Sequence, residues 1–156
     1  DLQFCISHAP NLSDEVYNKY LKETDFKIIK GENQALLSVS DALILASGTV
    51  ALEAALYATP MIIAYRGPWI FYFIYLAVRC IKMVSLPNII NGEIIVPEII
   101  QKDVKADNIS YNIEKLLYDS KYREDNIQKL KNVKHLLSDK VSSQEAANEI
   151  LKALQN

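Results

Sequence analysis

Over the first 66 residues, short apolar runs alternate with polar stretches of helical period. Leu2-Gln3-Phe4-Cys5-Ile6 and Phe26-Lys27-Ile28-Ile29 read as short strands. Ala42-Leu43-Ile44-Leu45-Ala46 and Met61-Ile62-Ile63-Ala64-Tyr65 are continuous apolar runs, the pattern of strands buried on both faces of a parallel sheet. Helices are predicted between them at about 13–22, 32–40 and 50–58. Strand and helix in alternation mean βαβ units, hence an α/β fold with a parallel, doubly wound sheet.

The pattern then changes. From about residue 107 the chain is rich in charge and reads as helices only. Ile109, Ile113, Leu116 and Leu117 recur at i, i+4, i+7 and i+8, one face of a helix. Ile127, Leu130 and Leu137 suggest a second helix, with Lys129, Lys131 and Lys134 on a solvated face. Ser142 with Glu145 is a capping box that opens a third, whose Ala146, Ile150 and Leu154 share a stripe. Between the two halves, Gly67 to Val78 carries no charge. It is too short to span a bilayer, which needs about 20 residues. It reads either as a buried segment or as a surface that dips into lipid. Trp69, Phe71, Tyr72, Phe73 and Tyr75 precede Arg79 and Lys82, and aromatics beside cations suit a membrane interface.

Composition narrows the function classes. The 156 residues are 50% hydrophobic and 23% charged, enough apolar material for a core and too much for a disordered chain. A net charge of -2 gives no electrostatic footprint for nucleic acid. Cys5 and Cys80 make no disulfide framework, and with His8 and His135 they make a poor zinc set. Sparse thiols fit a reducing cytosol. The chain opens Asp1-Leu2-Gln3-Phe4, with neither Met nor a basic leader. His135 reads as a surface residue, and His8, after a strand end, as a capping or loop residue or a ligand contact. No Ser-His-Asp set assembles.

The stretch that carries chemistry is Asp41 to Arg66. A buried strand runs into Ser47-Gly48-Thr49, and a helix follows at once. In parallel α/β sheets ligands bind where a strand's carboxyl end meets the next helix. Free amides and the positive end of the helix dipole suit phosphate there. Gly48 permits close backbone approach, and Ser47 and Thr49 add hydroxyl donors. Glu53 lies one turn beyond Thr49 on the same helical face, where a carboxylate accepts both hydroxyls of a ribose. The alternative is a plain N-cap at Thr49 with Glu53 favouring the dipole, although a capping box would want its acid at Leu52. A second polar cluster spans Ser85 to Gln101, where Asn88, Asn91, Glu93, Glu98 and Gln101 interrupt an aliphatic stretch framed by Pro87 and Pro97. Amides beside a carboxylate suit sugar hydroxyls or phosphate without a metal. The same stretch also reads as a loop with an Asn-Gly turn at 91–92, followed by a helix with an exposed Glu98.

Together the two segments resemble the carboxyl-terminal part of the lipid-A-disaccharide synthase family. Ser47, Gly48, Thr49, Leu52 and Glu53 match its SGT-x-x-LE motif, Pro60, Met61, Tyr65 and Arg66 its P-M-V-V-x-YR segment, and Leu86, Pro87, Asn88, Gly92, Glu98 and Gln101 its SLPN…G…E-L-L-Q segment. The resemblance implies a Rossmann-like, UDP-sugar-binding domain of a GT-B glycosyltransferase covering 1–156. It implies transfer of 2,3-diacylglucosamine from UDP-2,3-diacylglucosamine to 2,3-diacylglucosamine 1-phosphate (lipid X), with inversion and release of UDP, in lipid A biosynthesis. It implies donor contacts from Ser47, Gly48, Thr49, Glu53, Arg66, Asn88, Glu98 and Gln101, no metal or cofactor, and a catalytic base outside this segment. It also implies work at the cytoplasmic face of the inner membrane, as a peripheral protein, and a homodimer. The Pro-Gly-Ser-Arg motif that opens the family's carboxyl-terminal domain is absent. The domain is therefore expected to be incomplete at its amino terminus, with residues 2–6 as its second strand and the isolated chain inactive. The other readings are a non-catalytic fragment that binds UDP or a partner half, and another UDP-sugar glycosyltransferase or epimerase.

Overall fold

A computed structural model describes residues 2–68, 83–138 and 142–154. It divides into two compact units, Asp1–Ser40 and Asp41–Asn156.

In the first unit, β1 (Cys5–Ser7) and β2 (Lys27–Ile29) pair in parallel, with Cys5 opposite Lys27 and Ser7 opposite Ile29. Parallel neighbours need a crossover, and α1 (Asp14–Leu21) supplies it. α2 (Asn33–Val39) follows β2 and touches β1. The first strand is displaced from its predicted span of 2–6, and the stack of Phe4 on Phe26, centroids 5.0 Å apart, lies just before the paired residues. His8 is held by two neighbours. Its ring stacks on Tyr17 at 4.6 Å, and its Nε2 lies 3.0 Å from Asp14 Oδ1. Lys30 donates to both oxygens of the same carboxylate, at 2.7 and 2.8 Å. The Lys30 ammonium, with a smaller contribution from His8, holds the Asp14 carboxyl below the usual aspartate range.

In the second unit, β3 (Leu43–Leu45), β4 (Met61–Tyr65) and β5 (Glu98–Ile100) form a parallel sheet in that order. Leu45 stands opposite Ile63, Ile63 opposite Glu98, and Tyr65 opposite Ile100. The parallel α/β class is as expected; the described strands fall into two sheets, one in each unit. Two expectations are corrected. Residues 98–100 form a strand and not a helix, and Glu98 is half-buried. The run 42–46 is not buried on both faces, because alternate side chains along β3 point opposite ways and Ile44 is 50% exposed. β4 does fit, with Met61, Ile62 and Ile63 wholly buried.

α3 (Thr49–Leu56) buries Ala51, Ala54 and Ala55. Such small side chains allow close approach, and α3 packs on β4, on α4 (Leu86–Asn91) and on α6 (Ser120–Ser138). α5 (Ala106–Tyr118) lays its predicted stripe on the sheet, where Ile62, Ile99 and Leu116 form a core flanked by Ile109 and Ile113. On α6 the buried positions are Asn126, Leu130 and Val133. Asn126 donates from Nδ2 to the Ile95 carbonyl at 2.6 Å, tying α6 to the segment before β5. Lys129 pairs with Asp125 at 2.8 Å, and Lys131 and Lys134 are exposed, as a solvated face requires. α7 (Ser142–Leu154) exposes Ile150, Leu151 and Leu154. The side chains of its expected capping box, Ser142 and Glu145, lie outside the described residues, as do the aromatic and cationic positions of 69–82. No helix among the described residues is long and apolar enough to cross a membrane.

Candidate functional site

The carboxyl ends of β3, β4 and β5 run into Ser47-Gly48-Thr49, Arg66-Gly67 and Gln101 respectively, and parallel pairing places all three at one edge of the sheet. Gly48 occupies the N-cap position of α3, and Thr49 is the first helical residue. No side-chain hydrogen bond caps this end; Ala51 N donates to Gly48 O at 3.3 Å, and the earlier first-turn amides, of Thr49 and Val50, have no intrahelical acceptor. Gly48 and Thr49 are exposed. Among the described residues nothing lies within 4 Å of the place a Cβ on Gly48 would take, so no described side chain packs against the turn there. Thr49 as a plain N-cap is therefore corrected: the cap residue is Gly48. Glu53 lies beyond the first turn, which carries no acid, so a role on the helix dipole is weak.

Ser47 differs from its neighbours. It is half-buried, and its hydroxyl donates inward to the Val84 carbonyl at 3.0 Å. A serine has one proton to donate, so the Ser47 hydroxyl is committed to the chain. Thr49 and Glu53 are exposed and make no side-chain hydrogen bond or ion pair among the described residues. Arg66, just past the end of β4, is likewise exposed and unpaired among them.

The second cluster folds into a scaffold. The Glu98 carboxylate accepts from Val84 N at 3.0 Å, Ser85 N at 2.8 Å, Ser85 Oγ at 2.7 Å and Asn88 Nδ2 at 2.7 Å. It thereby satisfies amides at the start of α4, where the dipole favours an anion. Asn88 is wholly buried. Its Oδ1 accepts from Ile95 N and Val96 N, each at 2.9 Å, and its Nδ2 also donates to Val96 O at 2.9 Å. All four hydrogen-bonding positions of the amide are filled. Gln101 is buried, with a left-handed backbone at φ 54. A side-chain residue there costs about 1–2 kcal/mol. It is held because Oε1 accepts Gly67 N at 3.0 Å and its carbonyl accepts Val104 N at 3.2 Å. Of the predicted positions, Ser47, Asn88, Glu98 and Gln101 thus bond within the chain, while Gly48, Thr49, Glu53 and Arg66 face solvent. Sequence reasoning missed Val84, and it placed Ser85 at the edge of the second cluster without a role; the two residues link the clusters through hydrogen bonds to Ser47 and Glu98. Ser-Leu-Pro was the available signal, since proline in the first helical turn marks a helix start.

A family model described as lipid-A-disaccharide synthetase matches residues 1–153. The chain belongs to the lipid-A-disaccharide synthase family. Members of this family are glycosyltransferases of lipid A biosynthesis. The chain is similar to the lipid-A-disaccharide synthase of Anaeromyxobacter dehalogenans strain 2CP-C, at 32% identity over 154 residues, 97% of this chain and 40% of that protein. It is also similar to the Hydrogenovibrio crunogenus synthase, at 37% over 77% of the chain and 32% of the relative. The Colwellia psychrerythraea synthase is 38% identical over 70% of the chain and 30% of its own length. The chain thus spans well under half the length of these synthases.

Proposed function

We propose that this chain is the donor-nucleotide-binding part of a lipid-A-disaccharide synthase. The whole enzyme moves 2,3-diacylglucosamine from UDP-2,3-diacylglucosamine to lipid X, with inversion and release of UDP. The observation that carries this reading is the exposed Gly48–Thr49 turn at the carboxyl edge of a parallel sheet, one helical turn from Glu53, which is exposed and makes no side-chain hydrogen bond or ion pair among the described residues. The diphosphate lies on the first-turn amides of α3 and the Thr49 hydroxyl, where fixed dipoles stabilise the charge that develops on departing UDP. Glu53 accepts the ribose hydroxyls. Arg66 supplies a positive charge. Gln101, through Gly67, fixes the turn that carries Arg66. Asn88 and Glu98 serve the donor indirectly, by shaping the turn from 84 to 88. The base that activates the acceptor hydroxyl is not assigned to this segment. Both sugars carry acyl chains, so the enzyme works at the inner-membrane surface, and it pairs as a homodimer.

The test is calorimetric titration of UDP. Glu53→Ala removes the charged partner of the ribose and is expected to weaken UDP by about 1–3 kcal/mol, roughly 5- to 150-fold. Unchanged affinity removes the ribose role. An assay with both lipid substrates on a full-length synthase carrying the same substitution then reads the loss in turnover.

A further inference from the structure

We infer that Glu98 is a positioning residue for the diphosphate turn, acting on Ser47 through the Val84–Ser85 peptide without touching the donor. The inference rests on the reading of Ser47–Thr49 as the diphosphate cradle, and it names what holds that cradle still.

Val84 O and Ser85 N are the two ends of one peptide unit. The N–H donates to Glu98 Oε1 at 2.8 Å, and the carbonyl accepts the Ser47 hydroxyl at 3.0 Å. In a planar trans peptide the N–H and C=O point in opposite directions. The carboxylate and the hydroxyl therefore sit on opposite sides of the same unit, in line with its dipole. A negative charge on the N–H side pushes electron density toward the carbonyl oxygen and strengthens the bond it accepts. Val84 N, at 3.0 Å from Oε2, fixes the preceding peptide to the same carboxylate, so the segment cannot pivot about a single bond.

The consequence falls on the turn. Gly48 brings no side chain, and among the described residues nothing lies within 4 Å of the place of its Cβ. Among the described residues, the inward bond of Ser47 tethers the strand side of this turn through a side chain. With it in place the amides of the turn are pre-aimed, and binding does not have to order them. Glu98 is thereby linked to the phosphate-facing amides across two hydrogen bonds and one peptide. A purely structural role, capping α4, would predict something else: a loss of folding stability that weakens every ligand alike.

The experiment is a double-mutant cycle with two ligands. UDP and uridine are titrated into the wild-type chain, Glu98→Gln, Ser47→Ala and the double variant. Each single change is expected to weaken UDP about five- to tenfold, the scale of one lost hydrogen-bond contribution, and to leave uridine within about twofold. The double variant is expected to match the worse single one, because the two residues share one path. Multiplying fold-changes for UDP, or equal losses for UDP and uridine, overturn the inference. Should Glu98→Gln fail to fold by circular dichroism, Ser47→Ala and Ser47→Thr decide. A UDP-selective loss in the first, restored by the hydroxyl of the second, supports the tether, and an equal loss on both ligands overturns it. A wild-type chain that binds no UDP overturns the site reading itself, an outcome distinct from UDP binding without coupling.

Discussion

Asn88 shows how a side chain can matter to a site without facing it. Its amide is wholly buried and makes two donor and two acceptor bonds, to Ile95, Val96 and Glu98. Asn88→Ala would orphan two backbone N–H groups and a carbonyl, each costing about 1–3 kcal/mol when buried and unpaired. We expect a loss of about 3 kcal/mol in stability or more, read as a lower denaturant midpoint with unchanged slope. A variant of wild-type stability that fails only to bind UDP would put Asn88 against the ligand. The sequence carried the residue type and position but not this role. Amides beside a carboxylate look alike whether they face a sugar or one another. Ser47 is a parallel case: its partner, Val84, lies 37 residues away, and no local spacing reveals which way a lone hydroxyl points.

At the level of elements, legibility followed the strength of the local pattern. The α5 stripe of Ile109, Ile113 and Leu116 was visible because it repeats over two turns and packs on the sheet as periodicity demands. β4 was visible as an unbroken apolar run. β5 was not: three residues after Pro97, opening on Glu98, carry no period, and pairing with β4 imposes the strand. The end of α3 was equally hidden. Ala58 has φ 55, Ala58 N donates to Ala55 O at 2.9 Å, and Thr59 N donates to Ala54 O at 3.2 Å. This is a Schellman-type ending with alanine where glycine is the usual residue. The left-handed conformation costs an L-residue about 1–2 kcal/mol, and glycine's extra chain entropy returns about 0.5–1 kcal/mol of that. Ala58→Gly is therefore expected to stabilise the chain by about 0.5–1 kcal/mol in a chemical denaturation series. A destabilised variant would mean that the Ala58 methyl contributes more in packing than its backbone costs.

For the molecule as a whole, the proposed function requires a nucleotide site to meet substrates that carry acyl chains. Residues 69–82 follow directly on the Arg66 turn in sequence and hold Trp69, Phe71, Tyr72, Phe73 and Tyr75 ahead of Arg79 and Lys82. Two assignments compete. In a core, such rings are shielded from both water and lipid. At a lipid surface, half-burying two of them contributes about 2–3 kcal/mol together, a roughly 30- to 160-fold change in partition. Each nearby cation adds about 1 kcal/mol on an anionic leaflet, and salt screens that part. We expect the chain to co-sediment with vesicles containing anionic phospholipid, and the paired change of Trp69 and Phe73 to Ser to reduce the bound fraction by that order while the melting temperature holds. The core assignment demands the reverse, because two polar groups placed in a packed interior lower stability and leave vesicle binding where it was. The same two substitutions therefore separate a membrane-facing segment from an interior one, and salt dependence on anionic vesicles separates the aromatic part of the attraction from the ionic part.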